Sequence, residues 1–541
     1  MSTYRVWGWG ASDAEAPRTA DVREFSRGLQ ALLGFPGRPP EEPAPLRELP
    51  RPRVALPAAL AGLAGPGGSG GPGGSGGVDP VDRARHGLGR SYRDVVRGLR
   101  GAPEHVPDLV VRPGTEGDVA AVLDWASGAG VAVVPFGGGS SVVGGVEPAV
   151  GDGYRGTVSL DLGRLAGVAE VDPVSRAARV RAGTLGPDVE RGLDGTGLTL
   201  RFFPQSFERS TVGGWIATRA AGHYAARLQH IDDVVESVRA VTPAGVWESR
   251  RLPASGAGPS PDRLLLGSEG AFGVVTEAWL RLQARPVHRA RVTLAAADLA
   301  TGAAALRTLL QAGLAPATCR LLDGLEATLT GTLTTGEAAL VLGAESATEP
   351  VEPALRAAVA ACTDLGLRAL GPEQSGAAAR TWRSAFLRGP YLRELLVLSG
   401  VLLETFETAV TWDRLPGLVD TVTAATRAAL AEVCGGGTVT CRITHAYPDG
   451  AAPYFTVLAP ARRGGELGQW AEVAAAAKDA LHAAGGTITH HHAVGRDHRP
   501  WYDRQRPDPF ALALGAAKAA LDPAGILNPG VLLDPRPGPA R

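Results

Sequence analysis

Hydrophobic residues first become regular along the chain in the segment from Gly117 to Gly128. Within it, apolar side chains recur three or four positions apart, at Val119, Val122, Leu123 and Ala126. This spacing places them on one face of a helix and predicts an amphipathic helix. The glycines that follow end the helix, and the short apolar run from Val131 to Val134 then predicts a strand.

Further segments repeat these two patterns. Alternating positions predict strands at Thr157–Leu162, Ala178–Ala182, Ala290–Ala295, Ala338–Gly343 and Thr438–Thr444. Helical periodicity begins near Pro187 and again at Val473, where it continues to a turn at Gly485-Gly486. Strands interspersed with helices in this way predict an α+β fold.

Changes in residue composition and periodicity divide the chain into four parts. The first 78 residues are rich in proline and arginine and end in a glycine- and serine-rich stretch, 62–77, which we expect to be a flexible linker. We expect one domain over residues 79–285 and a second, α+β domain over residues 286–472. Residues 473–541 are expected to form a C-terminal segment that returns to the first domain.

The bulk composition argues against several classes of protein. Lys+Arg 54 and Asp+Glu 55 give a formal net charge of -1, so no basic field favours binding to nucleic acid. The longest apolar runs, such as Leu395–Leu403, fall far short of the roughly 20 residues that span a membrane. The first residues carry no signal-peptide pattern, and we expect a cytoplasmic protein.

The four cysteines form no CxxC pair; they are Cys319, Cys362, Cys434 and Cys441. Their spacing therefore predicts neither a zinc site nor a thioredoxin-like motif. We expect reduced thiols.

The segment from Pro135 to Gly145, PFGGGSSVVGG, is a candidate ligand site. Its glycines permit positive φ and close backbone approach, and successive N–H groups with the hydroxyls of Ser140 and Ser141 can cradle an anion. Neither the lysine of a P-loop nor the G-x-G-x-x-G spacing is present. Taken alone, the segment is equally compatible with a structural tight turn.

Two later segments share this glycine-rich character. They are PQSFERSTVGGWIATRAAG at residues 204–222 and GSEGAFGVVT at residues 267–276. The first adds several hydroxyls and the second adds one carboxylate, Glu269. Three such segments in one half of the chain predict one extended polar ligand held largely by the backbone.

The order GGGSS, STVGGWIATRAAG and GSEGAFGVVTEA resembles the FAD domain of the vanillyl-alcohol-oxidase (PCMH-type) flavoprotein superfamily. Within it, the chain is similar to the alkyldihydroxyacetonephosphate synthases, also called alkylglycerone-phosphate synthases. The likeness extends to Trp7–Gly10, Asp82–His86, Phe406–Thr408 with Trp412-Asp413, Thr440–Arg442 and His490–His492. The resemblance implies an α+β protein with a PCMH-type FAD-binding domain of two subdomains and an α+β cap domain, built on an antiparallel sheet, for the substrate.

The resemblance also implies which residues bind FAD. The first segment would hold the pyrophosphate, and the later two would line the adenosine and isoalloxazine regions. The residues concerned are Pro135, Phe136, Gly137, Gly138, Gly139, Ser140, Ser141, Gln205, Ser206, Ser210, Thr211, Gly213, Gly214, Thr218, Arg219, Ala220, Ala221, Glu269, Gly270, Ala271, Phe272, Gly273, Val274 and Val275. Related enzymes usually carry Asp at position 205 and Ser at position 221, so contacts there are expected to differ. Covalently flavinylated relatives carry a His where this chain has Ser140 or Ser141, which implies non-covalent FAD.

Three side chains of the cap domain match family residues with roles in the reaction. Arg442 would recognise the substrate phosphate, because a guanidinium fork matches phosphate oxygens. Arg393 matches an arginine important for activity, and Tyr454 matches a tyrosine that transfers a proton, which requires hydrogen-bond reach to the reacting group. Without the resemblance, the arginines would be taken as surface charges and the tyrosine as packing within a strand.

His490, His491 and His492 form a cluster near the C-terminus. On an extended segment they would point to alternate faces, so at most two would share a site. An imidazole beside the flavin suits proton handling. A metal site is the alternative, with Asp497 and His498 nearby, but the chain has no second spaced His/Cys pair, and we predict no metal.

Two reactions are compatible with the resemblance. In the first, acyl-dihydroxyacetone phosphate exchanges its acyl group for a long-chain fatty alcohol in ether-lipid synthesis, through a redox-neutral flavin N5 adduct. In the second, the chain is an FAD-dependent D-2-hydroxyacid (D-lactate or glycolate) dehydrogenase or oxidase. Hydroxyacid enzymes typically carry Glu-His-Gly where this chain has His-His-His-Ala, which favours the first. A binding protein without activity is a third alternative.

The resemblance further implies a homodimer. Because the substrates of the first reaction are membrane lipids, we expect any membrane contact to be peripheral.

Overall fold

The computed structural model describes residues 5–10, 17–35, 38–64, 77–223, 230–314 and 316–535. The α-helices, numbered in chain order, are α1 Thr19–Leu33, α2 Pro80–His86, α3 Tyr92–Leu99, α4 Glu116–Ala129, α5 Gly186–Gly192, α6 Val212–Thr218, α7 Ile231–Val234, α8 Asp262–Leu265, α9 Leu299–Gln311, α10 Gly324–Leu329, α11 Glu352–Thr363, α12 Pro372–Leu398, α13 Leu415–Cys434, α14 Glu466–Ala483, α15 Arg499–Gln505 and α16 Asp508–Leu521. Short 3₁₀ helices span Ala58–Leu63 and Leu162–Arg164.

The strands, also in chain order, are β1 Leu109–Val111, β2 Val131–Phe136, β3 Gly156–Asp161, β4 Val168–Asp172, β5 Ala177–Arg181, β6 Leu198–Thr199, β7 Val235–Thr242, β8 Gly245–Glu248, β9 Val274–Arg281, β10 Gln283–Ala284, β11 His288–Ala296, β12 Thr318–Leu322, β13 Ala338–Ser346, β14 Arg368–Ala369, β15 Val401–Glu407, β16 Val410–Thr411, β17 Thr438–Ala446 and β18 Gly450–Pro460. Three larger sheets and one short two-stranded ladder organise them. The predicted α+β fold class is confirmed.

The first sheet is parallel and has the strand order β1-β3-β2. Helix α4 covers it and begins with a capping box, in which Thr115 and Asp118 each accept a hydrogen bond from the other's backbone N–H. The helix ends at Gly130, whose φ of 65° is readily adopted only by glycine. These two signals fix the length of α4 and deliver the chain into β2, which leads directly to the glycine-rich turn.

The second sheet is antiparallel, with the order β4-β5-β9-β7-β8. Its core packs aromatic side chains against the short helix α6, with Phe202, Trp215 and Phe272 fully buried. The segments 204–222 and 267–276 both border this core. Burial of their aromatic residues therefore holds the two glycine-rich segments against one side of the sheet.

The third sheet is a large antiparallel one, with the order β14-β11-β13-β12-β17-β18-β15 and β16 beside β18. Its register places Tyr454 of β18 directly opposite Arg442 of β17 on one side and Glu407 of β15 on the other. Directly paired residues project from the same face of a sheet. The register therefore brings these three side chains, distant in sequence, into one row.

The C-terminal segment returns to the first sheet, where Leu527 forms a parallel bridge with Val133. The backbone N–H of Asn528 also donates to the carbonyl of Val133 at 2.9 Å. Between the large sheet and this return lie the three histidines, on a bent stretch that is not a strand. The prediction that the histidines sit on an extended segment is wrong.

Several other sequence predictions can be compared with the structure. The predicted helix at 117–128 and the six predicted strands are confirmed within a few residues, and the helix predicted from Val473 begins earlier, at Glu466. Helix α1 lies in the proline-rich N-terminal part, where no periodicity was recognised. Of the predicted linker, residues 65–76 lie outside the described residues. Among the helices of the described ranges, none combines the length and the apolar character needed to traverse a bilayer.

Candidate functional site

A cavity of about 920 Å³ lies where the glycine-rich segments meet helices α1 and α12 and the large sheet. This volume is at the upper end of the usual range for ligand pockets. The cavity brings together the glycine-rich turn after β2, both later glycine-rich segments, and the polar row on β17 and β18. The sequence motifs, which lie hundreds of residues apart, therefore share one space.

Most of the predicted cofactor residues line this cavity: Pro135, Phe136, Gly137, Gly138, Gly139, Ser140, Ser141, Gln205, Ser206, Ser210, Thr211, Gly213, Gly214, Thr218, Ala220, Ala221, Glu269, Gly270, Gly273 and Val275. Four lie elsewhere. Ala271, Phe272 and Val274 are buried in the surrounding cores, where they pack against other apolar side chains. Arg219 is exposed and bonded to Asp232, so its side chain points away from the cavity.

The glycines of the turn are required for contact between two loops as well as for access to a ligand. A Cβ at Gly138 would overlap the carbonyl oxygen of Arg209, and one at Gly137 would overlap the hydroxyl of Thr211. Gly139 has a φ of 63°, in the left-handed region. The first and second glycine-rich segments are thus in direct contact. Sequence reasoning explained these glycines only by the close approach of a ligand.

The turn that is predicted to cradle an anion is held in place by hydrogen bonds. The hydroxyl oxygen of Ser141 accepts the N–H of Gly145 at 2.9 Å and so closes the loop on itself. Asn528, returning from the C-terminal segment, donates to the carbonyls of Gly145 and Glu269 at 3.1 and 2.7 Å. The turn is therefore fixed from both sides where it lines the cavity, and its binding of a dinucleotide pyrophosphate stays a prediction.

Glu269 is a buried carboxyl at the edge of this cradle. It accepts the backbone N–H groups of Val494 at 2.9 Å and Gly495 at 3.0 Å, and has a φ of 48°. Burial raises the pKa of Glu269 to about 7, against the lowering effect of these hydrogen bonds and of Arg496. Its carboxylate ties the segment that follows the histidines to the third glycine-rich segment.

Gln205 and Ala221 occupy the two positions where the sequence departs from the family pattern. The side-chain amide of Gln205 donates to the carbonyl of Phe386 on α12 at 3.2 Å. Ala221 pairs with His230 in an isolated bridge and offers no polar group. Gln205 therefore contacts the helix that covers the cavity, a contact that its position in the sequence does not reveal.

Arg442 lies in the cavity wall and is already paired. One guanidinium nitrogen donates to the buried carboxylate of Glu326 on α10, and Thr440 donates to the other oxygen of that carboxylate. Burial lowers the pKa of Arg442, but Glu326 raises it by more, so the guanidinium stays charged. Within the described part of the chain, its Nε has no hydrogen-bond partner, which leaves one donor for a ligand.

Arg393 is buried at the cavity, and not on a helix surface. Its guanidinium donates to the carbonyl of Arg90 at 2.6 Å and to the Thr405 hydroxyl at 3.4 Å. Burial lowers the pKa of this guanidinium. Its Nε, like that of Arg442, lacks a partner among the residues that the structure describes. Two buried guanidinium groups therefore face one cavity.

Glu407 holds the histidine segment in place. Its carboxylate accepts the backbone N–H groups of His490, His491 and His492 at 2.5 to 3.0 Å, and the hydroxyl of Thr489 at 2.8 Å. Burial raises the pKa of Glu407, but the histidines and these N–H donors lower it by more, to well below its usual range. Four hydrogen bonds to one ionised carboxylate impose the bend that replaces the predicted extended segment.

The bend gives the histidines different surroundings. His491 and His492 line the cavity, beside the Tyr454 ring at centroid distances of 6.3 and 5.4 Å. His490 turns away from it, and its Nε2 lies 2.7 Å from the hydroxyl of Tyr447. Burial lowers the pKa of both His490 and His491 to about 3. Burial also lowers the pKa of His492, so these shifts favour the uncharged form of all three imidazoles.

Donor atoms for a metal lie close together in this region. Glu407, His491 and His492 have ligand atoms within 4.8 Å of one another, as do His445, His490 and His491. The Glu407 oxygens already accept four hydrogen bonds, and both ring nitrogens of His445 and of His490 lie within hydrogen-bond distance of protein groups. These donors have protein partners, whereas the Nδ1 of His492 has none among the described residues. The absence of a metal stays a prediction.

An apolar wall closes part of the cavity. It consists of Phe25, Leu29 and Leu32 of α1, Leu392 and Leu396 of α12, and Leu403 and Leu458 of the large sheet. Most of these side chains belong to one hydrophobic cluster. Sequence reasoning identified no part of this wall. It also did not identify Glu326, His445 or Tyr447, and it noted Glu407 only as part of a motif.

Comparison with known proteins places these features in context. Residues 107–249 match the family described as FAD binding domain, and residues 285–532 match FAD linked oxidases, C-terminal domain. Alkyldihydroxyacetonephosphate synthase of Trypanosoma brucei brucei is 30% identical over 485 residues, which are 85% of this chain and 78% of that protein. The Dictyostelium discoideum synthase is 28% identical, over 84% of this chain and 78% of its own.

A solved structure of an alkyldihydroxyacetonephosphate synthase superimposes with a TM-score of 0.77. Its sequence is 23% identical, and the superposition covers 96% of this chain and 93% of the other. The two chains therefore share one fold over nearly their whole lengths.

Proposed function

Because this chain belongs to the alkyldihydroxyacetonephosphate synthase family of FAD-dependent enzymes, we propose that it makes an ether lipid. Acyl-dihydroxyacetone phosphate would lose its fatty acid and take up a long-chain fatty alcohol at the same carbon. The observation that carries this proposal is the apolar wall, which lies in the same cavity as the glycine cradle and the polar row of Arg442, Tyr454 and His491.

The apolar wall favours a substrate with a long hydrocarbon chain. Each methylene removed from water contributes about 0.8 kcal/mol to the free energy of binding. The leucine side chains therefore favour a substrate with a longer hydrocarbon chain. D-Lactate and glycolate have no such chain and would gain nothing from Leu29, Leu396 or Leu458. The wall thus favours the ether-lipid reaction over oxidation of a small hydroxyacid.

The two buried guanidinium groups suit the phosphate of the substrate. Arg442 and Arg393 each keep one buried Nε donor without a partner among the described residues. An unsatisfied buried donor costs about 1–3 kcal/mol, which a bound anion would relieve. Glu326 forms an ion pair with Arg442, whereas the hydrogen bonds given for Arg393 go to the Arg90 carbonyl and the Thr405 hydroxyl, which are uncharged.

Proton handling falls to Tyr454 and the two cavity-facing histidines. We assign to Tyr454 the donation of a proton to the leaving acylate, and to the uncharged imidazole of His491 or His492 the removal of the proton of the entering alcohol. A neutral imidazole can accept a proton without first losing one. Glu407 acts through the backbone and holds these rings beside the tyrosine.

FAD fits the site without a covalent bond. The glycine-rich segments would hold FAD, which when bound would supply a nucleophilic ring nitrogen for a group exchange without net oxidation. The turn offers Ser140 and Ser141 but no histidine in the tethering position. We therefore propose non-covalent binding, and also a homodimer whose contact with membranes is peripheral.

One assay separates the alternatives. The purified protein is incubated with acyl-dihydroxyacetone phosphate and labelled hexadecanol, beside a dye-reduction assay with D-lactate. We expect labelled ether product without net flavin reduction. Dye reduction without ether product would establish the hydroxyacid alternative, and a flavin spectrum with neither activity would indicate a binding protein.

The cofactor linkage is tested separately by acid precipitation. Non-covalent FAD is released into the supernatant. Yellow colour that stays in the pellet would contradict non-covalent binding.

A further inference from the structure

A line of hydrogen-bonding groups leads from the cavity towards the protein surface through His490. His491 lines the cavity, and its Nδ1 lies 3.0 Å from the Nδ1 of His490. The other nitrogen of His490, Nε2, lies 2.7 Å from the hydroxyl of Tyr447. Neither His490 nor Tyr447 is among the cavity-lining residues. Both distances are those of a hydrogen bond, so the three side chains are connected in series.

Tyr447 stands at the outer end of this series. It is the first residue of the hairpin turn between β17 and β18, and its backbone N–H donates to the carbonyl of Gly450 at 2.8 Å. The next two residues of the turn, Pro448 and Asp449, are exposed, and Tyr447 itself is partly exposed. The indole N–H of Trp412 donates to the Tyr447 carbonyl at 2.9 Å, which fixes the backbone independently of the phenol.

We propose that His491, His490 and Tyr447 form a proton relay that connects the cavity with solvent. The relay deepens the proposed function and rests on it for the source of the proton, the entering alcohol. The removal of that proton inside a largely apolar cavity leaves a charged imidazole that must be discharged before the next turnover. The connected series of polar groups provides a route by which this proton can leave the cavity, whereas the apolar wall provides none.

The proton balance closes at every step. His491 receives a proton on Nε2 and releases the one on Nδ1 to the Nδ1 of His490. His490 releases its Nε2 proton to the oxygen of Tyr447, and Tyr447 passes its own hydroxyl proton to water. One proton enters at His491 and one leaves at the surface, without oxidation or reduction. The return movement carries one proton from water to His491 and on to Tyr454, which replaces the proton given to the leaving acylate and restores the starting tautomers.

The neighbours of the series keep its members uncharged at rest. Burial is the main cause of the low pKa of His490 and His491, and His230, His492, Arg219 and Arg442 lower it further, while Glu407 raises it. A proton therefore resides only briefly on either ring. This is the behaviour expected of a carrier rather than of a storage site.

Substitution of the outer phenol tests the relay. Tyr447→Phe removes the hydroxyl but keeps the ring and the carbonyl that accepts from Trp412. We expect kcat for labelled ether product to fall about tenfold or more with KM little changed, since assisted proton transfer is worth about 10²–10⁴-fold. A small buffer base added at rising concentration should restore kcat, because it can accept the proton that His490 releases. Tyr154→Phe is the matched control, because Tyr154 also loses a 2.7 Å hydrogen bond, to Gly525, outside the cavity.

A spectroscopic measurement decides the proposal without turnover. In FAD-bearing protein labelled with ¹⁵N-histidine, the nitrogen shifts report which ring nitrogen carries the proton. We expect Tyr447→Phe to change the His490 shifts and Tyr154→Phe to leave them unchanged. Unchanged His490 shifts in Tyr447→Phe, or full kcat with normal ether product, would overturn the relay while the proposed function stands. Ether product missing from the wild type would overturn the proposed function, and the shifts would still decide the relay.

Discussion

The guanidinium carbon of Arg442 lies 3.9 Å from the centroid of the Tyr454 ring, so the charged group stacks directly on the aromatic face. Their strands pair these two residues in register, and Glu326 neutralises the outer side of the guanidinium. A cation on the face of a phenol is a favourable contact. Arg442, the candidate for phosphate binding, and Tyr454, the candidate for proton transfer, are therefore in direct contact. Substitutions can test the two roles one at a time.

Variants of the Arg442–Glu326 pair are expected to differ in folding stability while sharing the same loss of substrate binding. Arg442→Ala leaves a buried carboxylate without its partner and should lower the free energy of unfolding by about 3–5 kcal/mol. The double variant Arg442→Met with Glu326→Leu removes both charges and should recover most of that stability in urea unfolding. Both variants should raise KM for acyl-dihydroxyacetone phosphate about tenfold or more, because a charge-assisted hydrogen bond is lost. A normal KM in the double variant would exclude Arg442 from phosphate recognition.

Loss of the Tyr454 hydroxyl is expected to affect the chemical step. Tyr454→Phe keeps the ring under Arg442, so KM and the FAD absorption spectrum should change little, while kcat should fall about 10²-fold. Steady-state kinetics with labelled hexadecanol measure both constants. Tyr391→Phe serves as the control, since its hydroxyl bonds Glu208 away from the cavity. Near-normal kcat in Tyr454→Phe would end its assignment as the proton donor.

Gly28 is expected to control the length of chain that the cavity accepts. It lies on α1 at the cavity, and a Cβ added there meets no heavy atom within 4 Å. Gly28→Phe should occupy space beside the apolar wall. Exclusion of about two methylenes costs about 1.6 kcal/mol, so kcat/KM for hexadecanol should fall about fifteenfold relative to decanol.

The control for this change is Gly128→Phe on α4. Its added Cβ also meets open space, and Gly128 does not line the cavity. The hexadecanol-to-decanol ratio should stay at its wild-type value in this variant. An unchanged ratio in Gly28→Phe would show that the hydrocarbon chain does not pass α1.

The buried histidines are expected to make folding stability depend on pH. The pKa of His491 is about 3 in the folded protein, mainly through burial, and close to 6.5 in the unfolded chain. Between these values the unfolded state binds the extra proton, so stability falls as the pH is lowered from 6.5 towards 3. One such group contributes a slope of about 1.4 kcal/mol per pH unit.

Urea unfolding at a series of pH values between about 4 and about 6 measures this slope. His491→Gln should reduce it by up to the contribution of one group. An identical slope in the variant would mean that His491 is protonated in the folded protein. The same result would show that the folded protein does not lower the pKa of His491.

The candidate site shows how far sequence reasoning reaches. The three glycine-rich segments were recognised because glycine runs constrain the backbone locally, and the structure brings them to one cavity. Phe272 and Val274 were predicted to line the cofactor site, whereas the structure packs both side chains in apolar cores; the sequence alone does not say which side chains of a glycine-rich segment face the core. The bend at the histidines was missed because its cause, Glu407, lies more than 80 residues away in the chain.

The sequence by itself determined the local elements of this protein, because capping residues, glycines and hydrophobic periodicity act over a few neighbouring positions. Helix α4 and the strand that leads to the glycine turn are examples. Only the tertiary structure decided that Glu326 neutralises Arg442, that Glu407 bends the histidine segment and that Tyr447 contacts His490. Sheet register and burial set these pairs, and both depend on contacts between residues that are distant in sequence.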